Sequence, residues 1–252
     1  MRWRAGLLLP CSAAILAAIA WTASPSDEAP PIDHYVLALS WQPTFCEFNA
    51  DKPECRSLEP GSFAATRLAI HGLWPDSHEN KRLRHCGVDA AVVAMDEPEH
   101  WCELPMPALS GETRAALDLA MPGARSCLDR HEWIEHGTCS GVDAEGYFAT
   151  TLRLAAAVRE SPVGDLLAAN VSRELPRRTL IEAFEAGFGP GSGKALTLLC
   201  KPSGAKSLLI EIRIALERSA ADGELDGADL RRAGTGTRGS CPTMVLIDPV
   251  GP

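Results

Sequence analysis

Nine cysteines, eight of them downstream of an apolar leader, constrain this 252-residue chain more than any other feature of its sequence. The leader, MRWRAGLLLPCSAAILAAIAWTAS, carries Arg2 and Arg4, then an apolar run from Ala5 to about Ala20 that ends in the small-residue step Ala18, Ile19, Ala20. Those three parts in that order read as a secretory signal, and the run is short for a helix that spans a bilayer. A signal peptide over residues 1–23 is expected, cut after Ala20 or Ala23 and carrying Cys11 away with it. What remains is an even set: Cys46, Cys55, Cys86, Cys102, Cys127, Cys139, Cys200 and Cys241. In an oxidising compartment such a set forms disulfides. Eight cysteines permit roughly a hundred pairings, so spacing alone leaves the connectivity open. No C-x-x-C pair occurs, which argues against a zinc ribbon or a thioredoxin-type site.

The formal charge is −9, and loss of the two leader arginines takes it to −11. An acidic chain has no overall pull towards a polyanion, so any such substrate must be held by a local cationic patch or by stacking. Residues 24–33, SPSDEAPPID, are polar and proline-rich and read as a flexible mature N-terminus. The folded domain is expected over 34–252. HYVLALSW and RLAIHGLW read as strands, the second running into a turn at Pro75; ALTLLC, LLIEIRIAL and TMVLID add three more. GYFATTLRLAAAVRES spaces Phe148, Leu152, Ala155, Ala156 and Val158 as an amphipathic helix, stopped by Pro162. RRTLIEAFEAGFG reads as a shorter helix closed by glycine, and GFGPGSG and RRAGTGTRGS read as loops. With no repeat and no composition break, one α+β domain accounts for the chain.

The segment HEWIEHGTCS, residues 131–140, holds two histidines and two carboxylates within six positions. On a helix turning about 100° per residue, His131 lies near 0°, Glu135 near 40°, Glu132 near 100° and His136 near 140°. A zinc protease needs H-E-x-x-H, with its imidazoles four apart; here they are five apart and are expected to diverge, so no metal is assigned. A solvated polar face would explain the charges but not Trp133, Ile134 and Gly137 among them. Imidazole exchanges protons near neutrality, and two imidazoles on one phosphate can run a transesterification. One takes the proton of a ribose 2′-hydroxyl and the other protonates the departing 5′-oxygen. His34, His71, His78, His85 and His100 are the candidate partners, and His71 stands out at the end of a strand in AIHGLWPD.

HGLWPD at 71–76 together with HEWIEHGTC at 131–139 resembles the two signature segments of the T2 family of ribonucleases. LALSWQPTFC, MPGARSCLDRHEW and GYFATTLRL are similar as well, so the resemblance extends across nearly the whole mature chain. It implies a disulfide-stabilised α+β domain with a central antiparallel sheet flanked by helices. It also implies a cofactor-free, metal-independent endoribonuclease that cuts single-stranded RNA with little base preference, through a 2′,3′-cyclic phosphate. Such an enzyme would be periplasmic or secreted and monomeric, free of membrane once its signal is removed, and inactive on DNA. By the same resemblance His71 is the proton donor, His136 the base and Glu132 the carboxylate that orients the phosphate and the imidazoles, with His131 contacting phosphate. Trp41, Trp74 and Trp133 offer faces for stacking bases. Trp74 and Trp133 read first as packing that fixes the site, with Trp74 also counted beside His131 as substrate-binding. The resemblance pairs Cys200 with Cys241 and Cys46 with Cys55. It leaves Cys86, Cys102, Cys127 and Cys139 to pair among themselves, as Cys86–Cys139 or with the local Cys127–Cys139.

The chain departs from the family at Glu135, where a lysine usually stabilises the doubly negative phosphorane. Losing one such cation costs about 10²-fold by analogy with an oxyanion donor. Arg130, Lys81, Arg82 and Arg84 are candidates to supply it instead. Glu135→Lys is expected to raise turnover on RNA, and unchanged or lower turnover would mean that the charge is already supplied elsewhere. Glu135 is also expected to favour protonated histidines and so to raise the pH optimum. Two rival readings follow: an RNA-binding or regulatory protein with weakened catalysis, and a zinc hydrolase that a chelator would silence.

Overall fold

The computed structural model describes residues 31–77, 83–225, 227–233 and 239–251. The expected signal peptide, most of the expected flexible segment, Cys11, His78, Lys81 and Arg82 lie outside the described residues. Six strands form one sheet: β1 (His34–Ser40), β2 (Ala69–Asp76), β3 (Glu174–Pro176), β4 (Leu196–Ser203), β5 (Lys206–Glu217) and β6 (Met244–Leu246). The order is β2-β1-β5-β6-β3, with β4 also paired to β5. All pairings are antiparallel except β5–β6, which meet in parallel at Leu208 and Leu246. The expected antiparallel sheet is therefore mixed at that one junction.

Alternation along the strands gives the sheet two different faces. On one, Leu37 lies opposite both Leu73 and Ile214, and Leu39 opposite both Ile70 and Ile212; all six are buried. The long helix α2 (Ala144–Arg159) belongs to the same apolar cluster. Its buried residues Tyr147, Phe148, Thr151, Leu154, Ala155 and Val158 recur at helical spacing. Leu152 and Ala156, expected in the core, are only partly buried. Burying a side chain of this size is worth about 1.5–3 kcal/mol, so this face fixes the sheet. On the other face, Ala38 lies opposite Gly72 and Arg213, and Ser40 opposite Glu211. Small β1 side chains there let longer groups from β2 and β5 meet across the strand.

Several helices among the described residues went unread in the sequence, the longer ones as follows. Before α2, α1 (Gly111–Ala120) is capped by Ser110, whose hydroxyl accepts from the Thr113 N–H at 3.1 Å. Pro162 does more than follow α2: it opens α3 (Pro162–Ala169), where its missing N–H costs nothing. The expected helix at 177–189 is α4 (Arg177–Phe188), ended by Gly189 with φ +91°. The helix α5 (Gly227–Ala233) takes in residues 231–233, read above as loop.

All eight described cysteines are bonded, as Cys46–Cys55, Cys86–Cys139, Cys102–Cys127 and Cys200–Cys241. The two pairings the resemblance implied are present, and Cys139 takes Cys86 rather than its neighbour Cys127. The Cys86–Cys139 bond closes a separation of 53 residues and ties the segment after β2 to HEWIEHGTC.

Candidate active site

Two backbone irregularities aim the histidines. In the β1–β2 ladder, Ala38 pairs with Gly72 and Leu39 with Ile70, so His71 is the extra residue of a β-bulge. A bulge re-aims its side chain, and the His71 ring meets Glu211 and Trp74, which belong to the face of Ala38 and Ser40. Gly72 is required beside it, because a Cβ there would fall 1.9 Å from a Glu132 carboxylate oxygen. The second irregularity lies in HEWIEH, where an α-turn (Leu128–His131) passes into a π-turn (Glu132–His136). The Gly137 N–H donates to the Glu132 carbonyl, five residues back. A π-turn brings residues five apart onto one side. The rings of His131 and His136, expected to diverge, are 6.1 Å apart.

Both imidazoles of the expected pair pack against one indole. Trp74 lies 5.2 Å from His71, edge to face, and 5.5 Å from His136. Its N–H donates to Glu132 at 3.0 Å, and the Arg213 guanidinium sits 4.8 Å from its ring. The second carboxylate oxygen of Glu132 lies 3.7 Å from His71 Nε2. Trp74 is half-buried. Trp41 is fully buried, donating to the Asp248 carbonyl at 2.7 Å, and has no face for a base. Trp133 packs partly buried beside Tyr147, whose hydroxyl donates to the Leu73 carbonyl at 2.9 Å.

The environments of the two imidazoles are opposite. His71 Nδ1 faces Glu211 at 2.7 Å while a third of the side chain stays exposed. Burial presses its pKa down, but the hydrogen bond to Glu211 and the charges of Glu132 and Glu211 outweigh it, and the net shift is upward. Burial pushes the Glu211 carboxyl up, and His71 and Arg213 more than reverse this. Glu132, wholly buried, is pushed by desolvation to about 7. His136 moves the other way, to about 3, through burial and then through its neighbours His131 and Arg84. Its Nδ1 is buried with no partner. The expected upward pull of Glu135 on the histidines is therefore not what governs His136.

Glu135 is held on both oxygens. Arg84 Nη1 pairs with one at 2.8 Å, and His131 Nε2 lies 3.0 Å from the other. The His85 N–H donates to the Glu135 carbonyl at 2.8 Å, and the Cys86–Cys139 bond follows one residue on. This segment brings Arg84 to the position where a lysine is absent. Arg130 does not reach it, since its guanidinium donates to the carbonyls of Cys102 and Leu104. The His131 ring stacks on Trp101 at 4.3 Å and gives its Nδ1 to buried Asp96 at 2.7 Å, which also takes His85 Nε2 at 2.7 Å. Of the other candidate partners, His34 pairs with Asp76 and exposed His100 with Glu103.

Glu211, Arg213, Asp96 and Trp101 were not read as site residues. Glu211 and Arg213 carried a signal, being charged at alternate positions of the apolar LLIEIRIAL; Asp96 and Trp101 carried none. Beside His71 opens a cavity of about 340 Å³, lined among others by Gln42, Phe45, Ile70, Trp101, Leu199 and Arg213. His131, Glu135 and His136 bring their ligand atoms within 4.8 Å of one another and form a set that could hold a metal ion.

Imidazoles, a buried carboxylate and arginines gathered round one indole equip this sheet face for acid–base chemistry on an anionic substrate. The Ribonuclease T2 family matches residues 32–224, and the chain belongs to it and is a ribonuclease. It is 35% identical to Ribonuclease I of Escherichia coli K12 over 88% of its own length and 89% of that protein's. It is 31% identical to a probable ribonuclease of Haemophilus influenzae over 47% of this chain and 40% of that one. Among solved structures, ribonuclease MC1 from bitter gourd seeds superposes with a TM-score of 0.54 at 18% identity, covering 85% of this chain and 99% of that one. Japanese pear S3-RNase gives 0.58 at 15%, covering 84% and 98%. Those two likenesses show the fold.

Proposed function

We propose that this chain is a secreted or periplasmic endoribonuclease that cuts single-stranded RNA by transesterification without a metal cofactor. The packing of His71 and His136 against the same indole, with Glu132 beside His71, carries the reading. His136, neutral in its buried setting, takes the 2′-hydroxyl proton; the 2′-oxygen attacks phosphorus, and the bond to the 5′-oxygen breaks. His71, charged between Glu211 and Glu132, delivers the proton to that oxygen through Nε2. A 2′,3′-cyclic phosphate and a free 5′-hydroxyl result, and water opens the ring to a 3′-phosphate with the two roles reversed.

Arg84, carried on Glu135, is the cation beside the developing phosphorane charge, and Glu132 and His131 orient the phosphate. The cavity beside His71 offers Phe45, Ile70, Trp101 and Leu199 as apolar surface on which a base can rest, and low base preference is carried by the family resemblance. DNA lacks the nucleophilic hydroxyl and is not cut. Among the described residues no helix is long and apolar enough to cross a membrane; the export signal and the likeness to bacterial ribonucleases support release from the cytoplasm.

Glu135 at the lysine position favours a second reading, an RNA binder with weakened catalysis. Incubating the oxidised protein with RNA in EDTA separates the two. Products with 2′,3′-cyclic ends support the enzyme, whereas binding without cleavage selects the second reading.

A further inference from the structure

Arg213 reaches the site from β5 and is anchored at one end only. Its Nε pairs with Glu211 Oε1 at 2.5 Å, and its guanidinium carbon lies 4.8 Å from the centre of the Trp74 ring. Among the described residues, Nη1 and Nη2 have no hydrogen-bond partner. Arg114 and Arg130, by contrast, commit end nitrogens to carboxylates and carbonyls of the chain. The Arg213 side chain stays 41% exposed and lines the cavity beside His71. With one N–H donor spent on Glu211, the forked end is left for an anion, and phosphate matches that fork.

Its surroundings place that anion. Three side chains meet one indole: His71 at 5.2 Å, His136 at 5.5 Å and Arg213 at 4.8 Å. Glu211 ties two of them more closely, since one oxygen holds Arg213 and the other faces His71 Nδ1 at 2.7 Å. The guanidinium and the acid are thus carried side by side on one carboxylate. A phosphate flanked by the two imidazoles lies within reach of the free Nη groups. Arg84 stands on Glu135 at the His136 side; Arg213 stands on Glu211 at the His71 side. In a chain of formal charge −9, cations at a phosphate have to be local ones.

We infer that Arg213 is a further catalytic residue, whose Nη groups donate to a non-bridging oxygen of the scissile phosphate. Those hydrogen bonds strengthen as the oxygen gains charge in the phosphorane. The inference rests on the proposed ribonuclease reading and leaves its proton transfers as they stand.

Arg213 also opposes Glu211 near His71, so a loss of rate on RNA alone would not separate contact with phosphate from action through the acid. A nucleoside 3′-(para-nitrophenyl phosphate) separates them, because its leaving group needs no proton. Oxidised parent, Arg213→Met and Arg213→Lys are compared by thermal melting and by cleavage of RNA and of this ester. They are also compared on the two phosphorothioate diastereomers of a dinucleotide, in which sulfur replaces one non-bridging oxygen or the other. Arg213→Met should melt close to the parent and lose about 10²-fold in kcat on RNA and on the ester alike, as for one lost transition-state donor. The ratio of the two diastereomers' rates should change several-fold, because only one of the oxygens faces the guanidinium. Arg213→Lys keeps the charge without the fork and should recover part of the rate. If Arg213→Met melts early, the diastereomer ratio is read in Arg213→Lys, where it should change as well. A loss on RNA that vanishes on the ester would make Arg213 a positioning residue for His71 and overturn the inference. An unaltered rate on RNA, or an unaltered diastereomer ratio, overturns it too, and in each of these cases the ribonuclease reading survives. If the parent cleaves neither RNA nor the ester, that reading fails and the role of Arg213 fails with it.

Discussion

His71 and His136 are the same side chain in two settings that differ in almost every respect. His71 projects from a bulged strand, a third exposed, with a carboxylate near each ring nitrogen. His136 sits on a π-turn, mostly buried, with one nitrogen unpartnered and with His131 and the Arg84 guanidinium as neighbours that press its pKa down. A ring between carboxylates keeps its proton; a desolvated ring near cations gives it up. When environments drive two titratable groups apart in this way, the acid and the base are separated in advance of substrate. The proposed division of roles, which the motifs alone could supply only by resemblance, has here a physical cause of its own.

The sharpest way to break that comparison is to remove each ring. His71→Ala and His136→Ala should each lower RNA cleavage by about 10²–10⁴-fold, the range for one general acid or base. On a nucleoside 3′-(para-nitrophenyl phosphate), whose leaving group needs no proton, His71→Ala should recover most of the lost rate and His136→Ala should not. Equal losses on both substrates would refute the division of roles.

Next in size is the covalent tether, which serves only one of the two sites. Cys86→Ser with Cys139→Ser frees the Arg84–Cys86 segment from the π-turn while leaving the β1–β2 bulge untouched. A loss of about 2–5 kcal/mol in unfolding free energy is expected, as for a native disulfide in a small exported domain. Residual activity at a temperature where the variant is folded should show a lower kcat. Denaturant melts and kinetics on the same preparation check both parts.

A smaller effect is expected from Arg84→Ala, which removes the cation on the His136 side. Cleavage should fall by about 10²-fold, the lower end of the scale for one lost transition-state donor. Because Arg84 already stands over Glu135, the gain expected of Glu135→Lys from the sequence is replaced by none in the parent, while in Arg84→Ala the lysine should restore part of the loss. If Glu135→Lys accelerates the parent enzyme, Arg84 does not fill the lysine's role.

How much of this was legible differs between the two sites. Strands β1, β2, β4 and β5 follow from apolar alternation, and α2 and α4 from helical spacing, because burial writes itself into periodicity. The motif histidines were visible for the same local reason, since each sits in a short, distinctive segment. The bulge at His71 and the π-turn at 132–136 were not visible. Both are register faults fixed by what packs against them, Gly72 against Glu132 in one case and Gly137 against Trp133 in the other. Asp96, Glu211 and Trp101 reach the histidines from 30 to 140 residues away in sequence. No pattern within a segment encodes such a partner. The π-turn is the costlier omission, since it converts two imidazoles expected to diverge into neighbours.

The least drastic test acts through that long-range partner. Glu211 faces His71 Nδ1 from β5, with Arg213 on the same strand opposing it and Glu132 facing Nε2 from the π-turn. The balance of these groups raises the His71 pKa. A general acid works only while protonated, so the alkaline limb of the pH–rate profile follows the His71 pKa and lies above the ordinary histidine value. Glu211→Gln keeps the shape and a hydrogen-bond acceptor but removes the charge. The alkaline limb should move down in pH while the rate on the acid side stays within a few-fold of the parent. The para-nitrophenyl ester, indifferent to the donor, should show no such movement. A limb that stays in place on RNA would mean that His71 is not the group whose protonation limits cleavage there, and the carboxylate side of the comparison would lose its mechanistic meaning.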